Sequence, residues 1–356
     1  MSNTENNEFK DDLEYIDLND TPSDDQDSEA ETQKAKSASS RMIHILFGAV
    51  IAVIIGIIIY KLWNWGTVVE SDFDPNNIQG GDDYIEVMDS ILPVIPPEGS
   101  KIIDDGITTI VAFGNAPFAD NKGSDDNLTN IIAKKTGATI YNCSISESYA
   151  ANVRSSLQTE HPPMDAFTFY WLTTLFCVDN DELFDMEIET VEQGTPLREE
   201  CEEVISTLES IDFNKVDVIT IMYDATDYYA GKLEYDGVSY TNTKTFIGNI
   251  NAGIELIQKT YPHIRIILLS PTYSYYVDDD GNYLDSELNY NYLPLSSYAM
   301  ILERISHISG VTFVDNFYGS VNANNASDYL KNHYQLNKKG RELIADRFIY
   351  ALEYFD

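Results

Sequence analysis

The sequence predicts an α/β domain in which helices cover both faces of a parallel sheet, preceded by a single membrane-spanning helix. Three observations predict it. From Lys101 onward, short β-rich runs alternate with amphipathic stretches in strict succession, the pattern of strand–crossover–strand units. One apolar run, Met42 to Tyr60, is long enough at about 1.5 Å per residue to cross a hydrocarbon layer about 30 Å thick. A chain of 356 residues that is 43% hydrophobic can also supply a substantial core.

In chain order, residues 1–41 form an acidic tail rich in Asp, Glu, Ser, Asn and Thr. Too few apolar side chains stand there to offset the entropy of ordering a backbone, so the tail is expected to be disordered. It serves either as a solvated tail or as a dock for a basic partner. Residues 42–62 are expected to be the transmembrane helix, with Trp63 and Trp65 following at the depth where aromatic rings settle among head groups. Lys34, Lys36 and Arg41 precede the helix, whereas Lys61, Glu70, Asp72 and Asp74 follow it. That bias predicts a cytoplasmic N-terminus and an extracellular C-terminal domain in the cell membrane. Residues 63–100, with one short apolar stretch at Ile91 to Ile95, are expected to form a stalk, and 101–356 the domain.

Within the domain the predicted order is strand Thr108–Phe113, helix Asn127–Lys135, strand Ala138–Cys143, helix Leu197–Leu208 and strand Val216–Met222. Helix Lys244–Thr260, strand Ile264–Leu269, helix Ser296–Ser309, strand Val311–Val314 and helix Lys338–Tyr354 complete it. Asp236-Gly237 and Asp280-Gly281 each lie between tyrosine-rich runs and predict two hairpins.

A formal net charge of −37 argues against a nucleic-acid partner, because such a surface repels phosphate backbones. The three cysteines, Cys143, Cys177 and Cys201, show no C-x-x-C or Cys/His spacing, and Asp278-Asp279-Asp280-Gly281 lacks the alternation of a calcium loop. No metal or cofactor is expected. Cys177 and Cys201 either bridge across an acidic loop or remain free thiols.

In an open parallel sheet, ligands bind beyond the carboxyl ends of the strands. The text there is Phe113-Gly114-Asn115-Ala116-Pro117, Asn142-Cys143-Ser144-Ile145-Ser146-Glu147-Ser148, Tyr223-Asp224-Ala225-Thr226-Asp227-Tyr228 and, before the last helix, Asn332-His333-Tyr334-Gln335-Leu336-Asn337-Lys338-Lys339-Gly340. In order and placement these four segments resemble the blocks of the SGNH or GDSL hydrolases, a family of serine esterases, lipases and carbohydrate deacetylases. The resemblance covers Ile107 to Phe355 and implies a three-layer α/β/α, flavodoxin-like architecture. It also implies a role for each block. Ala116 stands at the nucleophilic serine, after Gly114 and with Asn115 in place of aspartate. Ser144 stands at the oxyanion glycine, Thr226 at the oxyanion asparagine with Asp227 retained, Asn332 at the acid and Gln335 at the base.

Alanine carries no nucleophile and glutamine cannot take a proton, so no catalytic residue is expected at the family positions. The leading expectation is a catalytically degenerate domain whose cleft, lined by Asn115, Ala116, Ser144, Thr226, Asp227 and Gln335, binds a cell-envelope glycan or an envelope protein. The alternative is an active esterase, deacetylase or acyl transferase on envelope carbohydrate, with Ser146 as nucleophile and His333 as base.

Overall fold

The computed structural model describes residues 46–56, 58–60, 87–98, 105–178, 181–277, 283–287 and 293–355. The chain divides into two units, Met1–Phe73 and Asp74–Asp356. In the first, the described residues 46–56 and 58–60 are helical, and their side chains are exposed. The rest of the expected span, 42–45, 57 and 61–62, lies outside the described residues, as does the acidic tail. Among the described residues no helix is long and apolar enough to cross a membrane.

The second unit is built on a five-stranded sheet in the order β2-β1-β3-β4-β7. Its strands are β1 (Thr109–Gly114), β2 (Thr139–Asn142), β3 (Val218–Met222), β4 (Arg265–Leu269) and β7 (Thr312–Val314), all parallel. The strands read as near-continuous apolar runs, TIVAFG, VITIM and RIILL, because both faces are covered. The flanking helices are α1 (Ala116–Ala119), α2 (Leu128–Thr136), α3 (Phe169–Cys177), α4 (Asp181–Thr190), α5 (Pro196–Ser210), α6 (Thr226–Tyr229), α7 (Phe246–Thr260), α8 (Ser296–Ser309) and α9 (Lys338–Leu352). They form two groups, α2 packed on α9, and α7 packed between α3 and α8. Gly253 on α7 makes the close approach to α3 feasible, since a Cβ there would run into the Phe169 ring.

Helix starts follow the sequence chemistry. Asn127, Thr195, Thr245 and Asn337 accept hydrogen bonds from backbone N–H groups in the first turns of α2, α5, α7 and α9. The helices α3 and α4 were not expected. The α3 text FYWLTTLFC is apolar nearly all round and therefore lacks the 3.6-residue alternation that betrays a surface helix. Of the two expected hairpins, β5 (Tyr275–Val277) and β6 (Tyr283–Asp285) pair as predicted around the second Asp-Gly. Residues 231–245 contain no strand; there the Asp236 carboxylate accepts from Val238 and Ser239 N–H at 2.8 Å, closing a local turn instead of a ladder. The cysteines are free, so Cys177 and Cys201 do not bridge. Burial pushes their thiols up to about 11 and about 12 respectively, which leaves both inert.

Part of the expected stalk belongs to the sheet. Ser90 and Phe313 exchange backbone hydrogen bonds of 2.9 and 2.8 Å, and Leu92 N–H donates to Thr312 Oγ1 at 3.1 Å. Asp89 pairs with Arg347 at 2.7 Å. The short apolar stretch at Ile91 thus covers the edge of β7 that would otherwise expose unpaired backbone groups.

Candidate functional site at the strand ends

The strand order reverses between β1 and β3, and in folds of this class the ligand crevice opens beside such a switch point. Gly114 ends β1 at φ +142°, and a Cβ there would collide with the Met222 carbonyl oxygen at the end of β3. Only glycine lets the two strand ends come this close. The next residue, Asn115, is fully buried and staples the crevice. Its Nδ2 donates to Asp224 Oδ1 at 2.9 Å and to the Ser148 carbonyl at 3.1 Å, while its Oδ1 accepts from Asp224 N–H at 3.0 Å. Ala116 follows as the first residue of α1, buried, presenting a methyl group where the resemblance puts a hydroxyl.

Ser144 is buried, and both its N–H and its Oγ donate to Asn142 Oδ1, at 3.2 and 2.5 Å. The N–H that the resemblance assigns to an oxyanion is therefore engaged inside the loop. Thr226 turns inward too. Its N–H and Oγ1 both donate to Asp224 Oδ1, at 3.0 and 2.5 Å. Asp224 Oδ2 is buried with no hydrogen-bond partner among the described residues. Burial raises the Asp224 carboxyl above its ordinary value, against the hydrogen bonds from Thr226 and Asn115 that lower it.

Asp227 has a different task. Its two oxygens accept from the Ala150 and Ala151 N–H groups, each at 2.8 Å, and so hold the loop after β2 against α6. Burial pushes this carboxyl up to about 7 despite those two donors.

At the last block, Asn332 and Gln335 meet. Asn332 Nδ2 donates to Gln335 Oε1 at 2.8 Å, and Asn332 Oδ1 accepts from Gln335 N–H at 2.8 Å. The residues at the acid and base positions thus form a neutral amide pair. His333 lies against the rings of Tyr334, Tyr229 and Tyr275, with centroids 4.7, 5.6 and 6.3 Å away. Burial lowers its imidazole below the ordinary value. Ser146 takes a hydrogen bond from neither side of that cluster; its N–H donates to Glu200 Oε2 at 2.5 Å, and among the described residues no hydrogen bond joins Ser146 to His333.

The retained motif residues share one property. Gly114 permits a close approach, Asp227 holds a loop, Asn337 caps α9, and Gly340 sits where a Cβ would strike the Tyr329 carbonyl oxygen. Each has a structural task, whereas the positions of proton transfer have been replaced. Two contributors escaped the sequence reading. Asn142 is marked by an Asn-x-Ser spacing that suits a side chain accepting from the backbone two residues on. Tyr334 is marked by nothing local; its ring lies against those of His333 and Tyr229, with centroids 4.7 and 5.6 Å away, and burial raises its hydroxyl above the ordinary value.

The sheet and its flanking helices fit the SGNH-like α/β fold that the four blocks imply. No protein-family profile matches the chain, and no curated relative matches it. Similar solved structures include a protein from Lactobacillus plantarum, at 13% identity and TM-score 0.47, over 70% of this chain and 98% of that one. A chain described as a possible lipase from Chitinophaga pinensis is similar at 13% identity and TM-score 0.45, over 70% and 99%. A member of the lipolytic protein G-D-S-L family from Veillonella parvula is similar at 12% identity and TM-score 0.39, over 70% and 98%.

Proposed function

We propose that this chain is a membrane-anchored extracellular domain of SGNH-hydrolase-like fold that binds a cell-envelope glycan or protein at its strand ends and does not hydrolyse it. The observation that carries the reading is Ala116, a buried methyl at the end of β1 where a serine mechanism requires an activated hydroxyl. The Asn332–Gln335 amide pair supports it, because neither side chain can accept and return a proton at neutral pH. Binding is supported by the place of these residues beside the β1–β3 switch point, where ligand crevices of such sheets open. Anchoring is supported by the exposed faces of the N-terminal helical residues. Leu46, Phe47, Val50, Ile54 and Ile58 are each at least half exposed, and a helix apolar all round is stable only in apolar surroundings.

Hydrolysis of p-nitrophenyl acetate by the detergent-solubilised chain tests the reading, with Ser146→Ala and His333→Ala beside it. Turnover is expected to stay at background in all three. Turnover that vanishes in both variants would establish a relocated serine site and overturn the proposal. Protease protection in sealed vesicles tests the topology, the expected result being digestion of the domain from the outer face with the tail protected.

A further inference from the structure

We propose that His161, held as an imidazolium between two acceptors, is a pH-sensitive clasp that fastens the segment 153–161 to α4 and releases it as the medium turns alkaline. Its Nδ1 lies 2.6 Å from the Thr159 carbonyl oxygen, and its Nε2 lies 2.8 Å from Glu187 Oε1 on α4. A carbonyl and a carboxylate only accept, so each ring nitrogen has to bring a proton, and only the imidazolium has two N–H donors. The side chains of His161 and Glu187 are 9% and 11% exposed, which leaves little room for water to take either partner's place. A proton on Glu187 in place of Nε2 would serve the bond equally, with the same number of protons on the pair.

The clasp has a defined place in the fold. Where the loop after β2 runs into this segment, the Val153 and Arg154 N–H groups donate to the two Asp165 carboxylate oxygens at 2.8 and 2.7 Å, which pins the near end. His161 pins the far end, immediately before Pro162 and Pro163. Between the pins, the bond from Gln158 N–H to Ser156 Oγ at 3.2 Å is local and ties the segment to nothing else. With the clasp open, the segment is held chiefly by the half-buried Leu157 against the core.

The surroundings favour the charged ring. Burial lowers the imidazole, but the Thr159 carbonyl, the bond to Glu187 and the charges of Glu187 and Asp165 together raise it above its ordinary value. The other acidic residues described on α4, Glu182, Asp185 and Glu189, are exposed, as are Arg154 and Glu160 on the segment itself. On α5, which packs on α4, the Arg198 guanidinium is engaged by Glu202 at 3.1 Å and by the Ile188 and Val191 carbonyls at 3.1 and 3.4 Å. Because folding raises the imidazole, the clasp is complete below the ordinary value of 6.5 and is lost as pH rises through the higher native value. A neutral ring has one N–H for two acceptors, so one nitrogen would meet an oxygen lone pair to lone pair, and the clasp opens. This device stands apart from the strand-end reading and does not depend on it.

The chain contains five histidines, His44, His161, His263, His307 and His333, so imidazole ¹⁵N spectra of the full chain in detergent report five rings. His161→Ala identifies the one that matters. At pH 7 the His161 ring is expected to be more than half imidazolium, and half or less overturns the proposal. Release is read by hydrogen exchange in residues 155–160, with parent and His161→Ala compared at each pH so that the intrinsic exchange rate cancels. Exchange is expected to be about tenfold slower in the parent at pH 6 and equal in the two at pH 9.5. The same ratio at both pH values overturns the proposal. Glu187→Gln keeps an acceptor oxygen but not the charge, and is expected to bring the loss of protection to lower pH. Loss at an unchanged pH in that variant overturns the proposal as well.

Discussion

The strand ends and a groove lined by α3, α7 and residues 241–243 differ in how their polar atoms are satisfied. At the strand ends almost every group that the resemblance assigns to chemistry is tied up internally: Asn115 with Asp224, Ser144 with Asn142, Thr226 with Asp224, Asn332 with Gln335. Asp224 Oδ2 is the exception among them. In the groove the backbone is pinned by Asn152 and Asn249, yet Trp171 Nε1 and Thr243 Oγ1 are left over. Loss of a reactive group is therefore accompanied by closure, because each polar atom deprived of a substrate must find an internal partner or bear a desolvation cost.

The largest expected effect comes from breaking the closure at its backbone. Gly114→Ala forces a side chain into φ +142° and against the Met222 carbonyl, and should cost about 4 kcal/mol or more, read as a collapse of the urea midpoint. A tolerated alanine would mean that β1 and β3 do not approach as described. Asn115→Ala removes a donor from the buried Asp224 carboxylate and from the Ser148 carbonyl. About 2–3 kcal/mol should be lost in the same denaturation experiment. On the groove side, Asn152→Ala removes the acceptor of Asn249 Nδ2 and Thr168 Oγ1 and the donor to the Asp165 carbonyl while keeping the main-chain bond to Thr243, and about 2 kcal/mol should be lost in the same experiment.

An effect of similar size is carried by pH. The Asp227 carboxyl is raised from 3.8 to about 7 on folding, so the native state binds the proton more tightly than the unfolded chain. Its contribution is complete below pH 3.8 and declines as pH rises through about 7. The stability difference between the parent and Asp227→Asn should accordingly be greater at pH 5 than at pH 8, by about 2–3 kcal/mol. A difference that grows toward alkaline pH would show that the two alanine N–H donors outweigh burial. The smallest effect is expected of Ala116→Ser. It restores the hydroxyl without a base, since Gln335 cannot titrate, so ester turnover should remain at background and stability should change by about 1 kcal/mol at most.

Much of this was legible in the residues, and particular elements show why. The runs Thr108–Phe113 and Val216–Met222 were marked by their β-rich content, and the helices Lys244–Thr260 and Lys338–Tyr354 by their amphipathic pattern. The α3 helix was not legible, because a segment buried on most sides loses its periodicity. The edge role of Ser90 was hidden for another reason, since its partner Phe313 lies more than two hundred residues away. Of the strand-end site, the substitutions at Ala116 and Gln335 could be read directly, whereas the engagement of Ser144 and Thr226 could not.

By itself the sequence determined the succession of strands and helices and the loss of the hydroxyl and imidazole at the family positions. All of these depend on residue type and on neighbours a few positions apart. Tertiary structure alone decided that Asn115 closes the crevice onto Asp224 and that Asn152 draws Thr243 and α7 into one groove. Those outcomes join residues from about 90 to over 100 positions apart, and only the order in which the strands assemble brings such residues within the roughly 3 Å reach of a hydrogen bond.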